Sequence, residues 1–191
     1  MHNLVQSLLK SYEQHISISR IGAGRRPDKT AIIEILDKLQ WIVFPGFFGK
    51  QDLMKCYAEY YVGEVLETVL NSLKNQLFLT YRLYKETCSE LGDTELKEKS
   101  LETAQSFLMR LPLIREYLET DVQAAFDGDP AAINTDEIVY AYPGIYATFL
   151  NRVAHQLYLL DVPLIPRIMT EHAHSVTGID IHPGATIGKY F

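Results

Sequence analysis

The stretch TGIDIHPGATIGKYF, residues 177–191, differs in kind from everything that precedes it. Upstream, apolar residues recur at helical spacing. Here Ile181 and Ile187 stand six apart with small residues between them. A six-residue apolar period suits the short flat faces of a left-handed parallel β-helix, with both isoleucines pointing inward and Gly184 and Gly188 at tight corners. A single unit of this kind cannot bury itself, because stacked coils make the core. The expected fold is all-α, a multi-helix N-terminal domain over residues 1–178; one six-residue interval arises easily by chance, and it is the motifs at 142–147, 152–155 and 180–183 that make residues 179–191 the expected first strands of a left-handed parallel β-helix.

At 191 residues, 47% hydrophobic and 22% charged, the chain has enough apolar material for one large core. A formal charge of −6 carries no nucleic-acid footprint, and Arg25-Arg26 is too short a basic cluster to make one. The two cysteines, Cys56 and Cys88, fall on expected helices without metal-type spacing, which fits a reducing, cytoplasmic setting. MHNLVQSLLKSYEQH lacks the basic and apolar regions of a signal peptide, and no apolar run reaches the ~18 residues of a membrane span.

Residues 3–17 carry Leu4, Leu8, Leu9, Tyr12 and Ile16 on one helical stripe. IGAGRRP follows. With no strand before it and Pro27 where a third glycine would be wanted, it reads as a turn rather than a phosphate cradle. Pro27-Asp28 opens a helix with Ile32, Ile35, Leu36, Leu39, Ile42 and Val43 on one face and a Glu34–Lys38 pair outside. It stops at FPGFFG, residues 44–49, whose phenylalanines are expected to pack on a neighbouring helix. Residues 52–88 form the longest helical pattern, without a strict heptad, and its tyrosines at 57, 60, 61, 81 and 84 suit core and rim. Leu91-Gly92-Asp93 breaks it, Asp93 or Thr94 can cap the next helix, and Pro112 restarts the chain. The polar break DGDPAAINTD, residues 127–136, precedes a helix opened by Pro143, with Ile145, Phe149, Val153 and Leu157 on its stripe. Pro163 and Pro166 open the last helix.

Three motifs taken together carry a resemblance. DIHP at 180–183, YPGIYA at 142–147 and RVAH at 152–155 resemble the junction in serine O-acetyltransferases, where a helical domain hands over to a hexapeptide-repeat β-helix. TEHAHSVTGIDIHPGA and the earlier FPGFFG are similar to the subgroup with a long N-terminal extension. The match is strongest from Asp127 to Gly188.

The resemblance implies transfer of acetyl from acetyl-CoA to the hydroxyl of L-serine, giving O-acetylserine and CoA on the path to cysteine. Acetyl-CoA would be a co-substrate; no tightly bound cofactor and no metal is implied. A serine hydroxyl is a poor nucleophile at neutral pH, so a positioned base must take its proton during attack on the thioester. In the family that base is a histidine, on the coil beyond Phe191. A carboxylate against its other ring nitrogen fixes the tautomer and stabilises the imidazolium. The resemblance assigns that carboxylate to Asp180 of DIHP, and contact with the substrate serine to Asp129 of the Asp129-Pro130 step. It also implies a homo-oligomer, a trimer or a dimer of trimers, and association with cysteine synthase through a tail past residue 191. Residues 1–191 alone are expected not to turn over acetyl-CoA.

Taken without the resemblance, Asp180 is a turn carboxylate capping backbone N–H groups, and Asp129 an ordinary loop residue beside Asp127 and Asp136. His172 and His174 lie two apart, on different faces of a helix, and together with His182 they lack the cysteines or acids that complete a tetrahedral site. Hydrogen-bonded structural histidines are expected instead. Arg152 and His155, three apart on one helical face, are expected to form a polar pair within the domain. A hexapeptide acetyltransferase with another acceptor, and a non-catalytic helical oligomerisation or docking module, are the alternative readings.

Overall fold

The computed structural model describes residues 1–85 and 91–191, so Cys88 lies outside the described residues. The described helices are α1 His2–Gln14, α2 Lys29–Val43, α3 Ala58–Leu83, α4 Asp93–Leu108, α5 Leu111–Gly128, α6 Thr135–Ala141, α7 Pro143–Tyr158 and α8 Ile165–Thr177. The multi-helix expectation holds. Among the described residues there is no strand, only an isolated bridge between Pro45 and Phe48.

Local chemistry explains most helix ends. Asp28 caps α2, its carboxylate accepting from the Thr30 N–H at 2.8 Å. Proline sits in the first turn of α5, α7 and α8, where the missing N–H would have had no helical partner. A γ-turn leads into α8: Leu164 has φ 64°, and the Ile165 N–H donates to the Pro163 carbonyl at 2.7 Å. Gly178 closes α8 in the left-handed region, at φ 74°.

Some expected boundaries move. The long helix starts at Ala58 rather than at residue 52, because a 3-10 turn over Lys55–Tyr57 precedes it. The cap of α4 is Gly92, not Asp93 or Thr94. Glu95 reaches back to accept the Gly92 N–H at 2.7 Å, and Asp93 lies inside the first turn, facing the positive end of the helix dipole. Helix α6, unforeseen in the polar break, is capped by Asn134, whose side chain accepts from the Glu137 N–H at 2.9 Å. The Glu34–Lys38 ion pair does not form; the Lys38 ammonium lies 5.1 Å from the Trp41 ring centroid instead.

The core is the apolar stripes meeting. Ile32, Ile35, Leu36 and Leu39 of α2, Val69, Leu73 and Leu77 of α3, and Phe149, Val153 and Leu157 of α7 belong to one buried cluster. All are essentially inaccessible to solvent. The phenylalanines of FPGFFG pack where a neighbouring helix was expected. Phe44 sits edge-on to Phe149 of α7 at 5.8 Å, and Phe47 and Phe48 lie against Tyr140 of α6 at 5.2 and 5.9 Å. Of the α3 region tyrosines, Tyr81 is buried, whereas Tyr57 and Tyr60 face solvent. Helix α1 differs from the rest: its stripe of Leu4, Leu8, Leu9 and Tyr12 is present, yet no residue of α1 is buried. Among the described residues no helix is long and apolar enough to cross a membrane.

The turn after α2 ends on a glycine that the packing requires. Gly49 has φ 68°, and a Cβ there would lie 2.6 Å from the Tyr61 hydroxyl and 2.7 Å from Cγ of Trp41. Gly49→Ala is expected to cost about 2–4 kcal/mol, strain plus overpacking, in urea unfolding. Gly46→Ala, at φ 84° but in open space, should cost about 1–2 kcal/mol from strain alone. Equal losses at the two positions would rule out the packing contribution.

Candidate active site

Beyond Gly178 the chain turns back across α7 and α5. Its backbone polar groups are met by helix side chains rather than by a neighbouring strand. Asn151 donates to the His182 carbonyl at 3.3 Å, and the His155 Nδ1–H donates to the Pro183 carbonyl at 2.8 Å. The Arg152 guanidinium donates to the carbonyls of Ile187 at 3.3 Å and Gly188 at 2.8 Å. Thr120 and Asp121 of α5 accept the N–H groups of Tyr190 and Phe191 at 3.1 and 3.2 Å. A turn at 182–185 closes through the Ala185 N–H and the His182 carbonyl at 2.9 Å.

Ile181 and Ile187 are half-buried and line separate cavities, of about 280 and 250 Å³, rather than one shared core. Neither Gly184 nor Gly188 has a positive φ. Gly184 serves close approach instead, since a Cβ there would lie 3.0 Å from Cζ of Tyr158.

The ion pair behind this arrangement is buried. Arg152 of α7 meets Asp121 of α5 through two bonds, at 2.5 and 2.7 Å, with Arg152 6% and Asp121 0% exposed. The Tyr117 ring lies 4.8 Å from the guanidinium carbon. Arg152 and His155 therefore do not pair with each other. They share a helix face as expected, but both reach to the returning chain, and Arg152 takes its partner from another helix. Asp121 falls on the buried stripe of α5 with Ile114, Leu118 and Val122, a spacing the sequence carries, but its partner lies thirty-one residues further on.

Asp129 is half-buried and doubly held. Its Oδ1 accepts the Ala131 N–H at 2.9 Å, and its Oδ2 accepts the Tyr142 hydroxyl at 2.5 Å. The Tyr142 bond, helped by the Ala131 N–H, holds the carboxyl below its usual range. The same bond pushes the Tyr142 phenol up to about 12. Asp180 is exposed and has no hydrogen-bond partner among the described residues, so the turn-capping role does not appear. Tyr142 shares the 280 Å³ cavity with Ile179 and Ile181, the two neighbours of Asp180, and with Ala125, Ile145 and Phe191. The structure thus brings the partner of Asp129 and the flanks of Asp180 to one cavity.

Of the three histidines expected to be hydrogen-bonded, His182 alone has a side-chain hydrogen bond among the described residues. His182 accepts the Gly184 N–H on Nδ1 at 3.0 Å, which places its proton on Nε2, and its ring sits edge-on to Tyr158 at 6.0 Å. His172 is half-buried, and burial lowers its pKa; His174 is exposed.

None of the protein-family models compared with the chain matches it. A plasmid-borne serine acetyltransferase of Synechococcus elongatus is 41% identical over 167 residues, covering 86% of this chain and 52% of that protein. The chain is homologous to the serine acetyltransferases. A serine acetyltransferase of Synechocystis is 46% identical over 72 residues, 38% of this chain and 29% of its own length. Two crystal structures from Entamoeba histolytica are similar in fold. Serine acetyltransferase 1 in complex with L-cysteine has a TM-score of 0.66 at 29% identity, covering 94% of this chain and 60% of its own. Isoform 3 in complex with cysteine has a TM-score of 0.67 at 29% identity, covering 100% and 62%. The chain thus spans about half the length of its Synechococcus relative, 52%.

Proposed function

We propose that this chain is the helical domain, residues 1–178, and the opening of the β-helix, residues 179–191, of a serine O-acetyltransferase that moves acetyl from acetyl-CoA to L-serine. The observation that carries the reading is 41% identity sustained over 86% of the chain with a serine acetyltransferase. In this reading residues 179–191 become strands when a following coil supplies the backbone partners that a lone coil lacks.

Asp129 takes the serine ammonium. A carboxylate offers about four lone-pair sites, and the Ala131 and Tyr142 donors leave room for a third partner. Asp180, exposed and without a partner, is available to orient the imidazole of a histidine on the next coil. That histidine takes the hydroxyl proton as the serine oxygen attacks the thioester carbonyl. Collapse of the tetrahedral intermediate breaks the C–S bond, and the imidazolium returns the proton to the CoA sulfur. Acetyl-CoA is a co-substrate, with no tightly bound cofactor. The uncovered apolar stripe of α1 is a surface that a homo-oligomer would bury, and the resemblance implies a trimer or dimer of trimers. Cysteine synthase is the partner that the resemblance suggests, and the cytoplasm the compartment.

The test is serine-dependent release of CoA by the complete gene product. Asp180→Asn is expected to lower kcat roughly 10²-fold or more by losing imidazole orientation. Asp129→Asn is expected to act mainly on the serine KM. Release with another alcohol or amine, but not with serine, would replace the acceptor.

A further inference from the structure

We propose that Tyr142 is a positioning residue: it holds the carboxylate that receives the substrate ammonium, and so sets serine affinity without touching the reacting atoms. The inference rests on the serine-binding reading of Asp129.

The geometry carries it. The two donors to Asp129 come from different parts of the fold. The Ala131 N–H lies two residues on in the same loop and engages Oδ1; the Tyr142 hydroxyl comes from the residue that opens α7 and engages Oδ2. Helix α6 separates them along the chain. One donor leaves a carboxylate free to rotate about its terminal torsion, which is broad and two-fold. Two donors on two oxygens fix it. A fixed anion binds a cation without the ordering cost that a mobile one incurs. Tyr142 also lines the cavity shared with Ile179 and Ile181. The wall from which Asp180 projects therefore packs near the group that aims Asp129. The linkage also favours charge: the Tyr142 bond, the largest cause, lowers Asp129, and the phenol, pushed up to about 12, stays a donor through the neutral range.

Kinetics of the complete gene product test this. Tyr142→Phe removes one hydroxyl, and is expected to raise the serine KM about tenfold while kcat stays within about twofold. Asp129→Asn should raise KM further. The double variant should exceed Asp129→Asn by less than about twofold, because Tyr142 acts only through Asp129. An unchanged serine KM in Tyr142→Phe, with a raised one in Asp129→Asn, overturns the proposal and leaves the function standing. An unchanged KM in both, or no serine-dependent release, removes the Asp129 reading and this proposal with it.

A second readout needs no turnover. With ring-carbon-labelled tyrosine, the Tyr142 resonance of this chain, assigned by its loss in Tyr142→Phe, should stay in place between about pH 9 and 11, where an ordinary phenol titrates. In Asp129→Asn it should titrate there. A Tyr142 resonance that titrates normally in the parent chain would overturn the pairing. A tyrosine with only a packing role would not respond to the change at residue 129.

Discussion

Asp121→Ala should lower the unfolding free energy by about 3–5 kcal/mol, a large share of the roughly 5–15 kcal/mol that a domain of this size has. The substitution leaves the Arg152 guanidinium charged, 6% exposed and without its only carboxylate among the described residues. It also takes away the acceptor for the Phe191 N–H. Arg152→Met should cost a similar amount, by stranding Asp121 at 0% exposure and releasing the carbonyls of Ile187 and Gly188. The double change Asp121→Leu with Arg152→Met should recover most of the loss, because apolar residues of similar volume need no partner. Urea unfolding of the three variants checks this. A loss under about 1 kcal/mol in Asp121→Ala would mean that Arg152 reaches water, and that the pair does not anchor the returning chain.

Phe149→Ala should cost about 3–5 kcal/mol. Phe149 is fully buried on α7, edge-on to Phe44 at 5.8 Å and tilted against Tyr146 at 6.2 Å. It joins the turn after α2 to the helix that carries Arg152 and His155. Truncation removes apolar burial and leaves a cavity that the surrounding side chains fill only in part. Phe149→Leu should cost about half as much, since it keeps most of the volume. Denaturant midpoints at constant m-value measure both. Equal losses would show that the ring geometry, rather than the volume, sets the stability.

The helices were legible because their periods are local. Phe149, Val153 and Leu157 recur at helical spacing and are buried, and Asp28, Pro112, Pro143 and Gly178 mark ends by chemistry acting over a few residues. Misplaced features were those where two local signals compete. Asp93, Thr94 and Gly92 are all adequate caps, and Glu95, by reaching back to Gly92, decides among them. Helix α6 was hidden in a run of turn formers because Asn134 caps a helix as readily as it ends one. The Glu34–Lys38 spacing permits an ion pair, but the nearby Trp41 face offers the ammonium another site.

The candidate site divides along the same line. Asp129 and Asp180 were found through motifs, which are contiguous strings. The Tyr142 partner of Asp129 was not, because it lies thirteen residues away, and neither was the Asp121–Arg152 pair, whose members are thirty-one apart. Tyr142 stands in the motif YPGIYA, but nothing in that string marks it as the partner of Asp129.

By itself the sequence determined that the described elements before Gly178 are helices, which faces are apolar, and which motifs link the chain to the serine acetyltransferases. Those properties depend on neighbours one or two turns away. Only the tertiary structure decided that α5 and α7 lie close enough to bury Asp121 against Arg152, that their side chains receive residues 182–191, and that α1 keeps an uncovered apolar face. Each depends on which helix packs against which. No spacing along one helix encodes that, because a stripe of leucines fits many partners whereas a buried charge accepts very few.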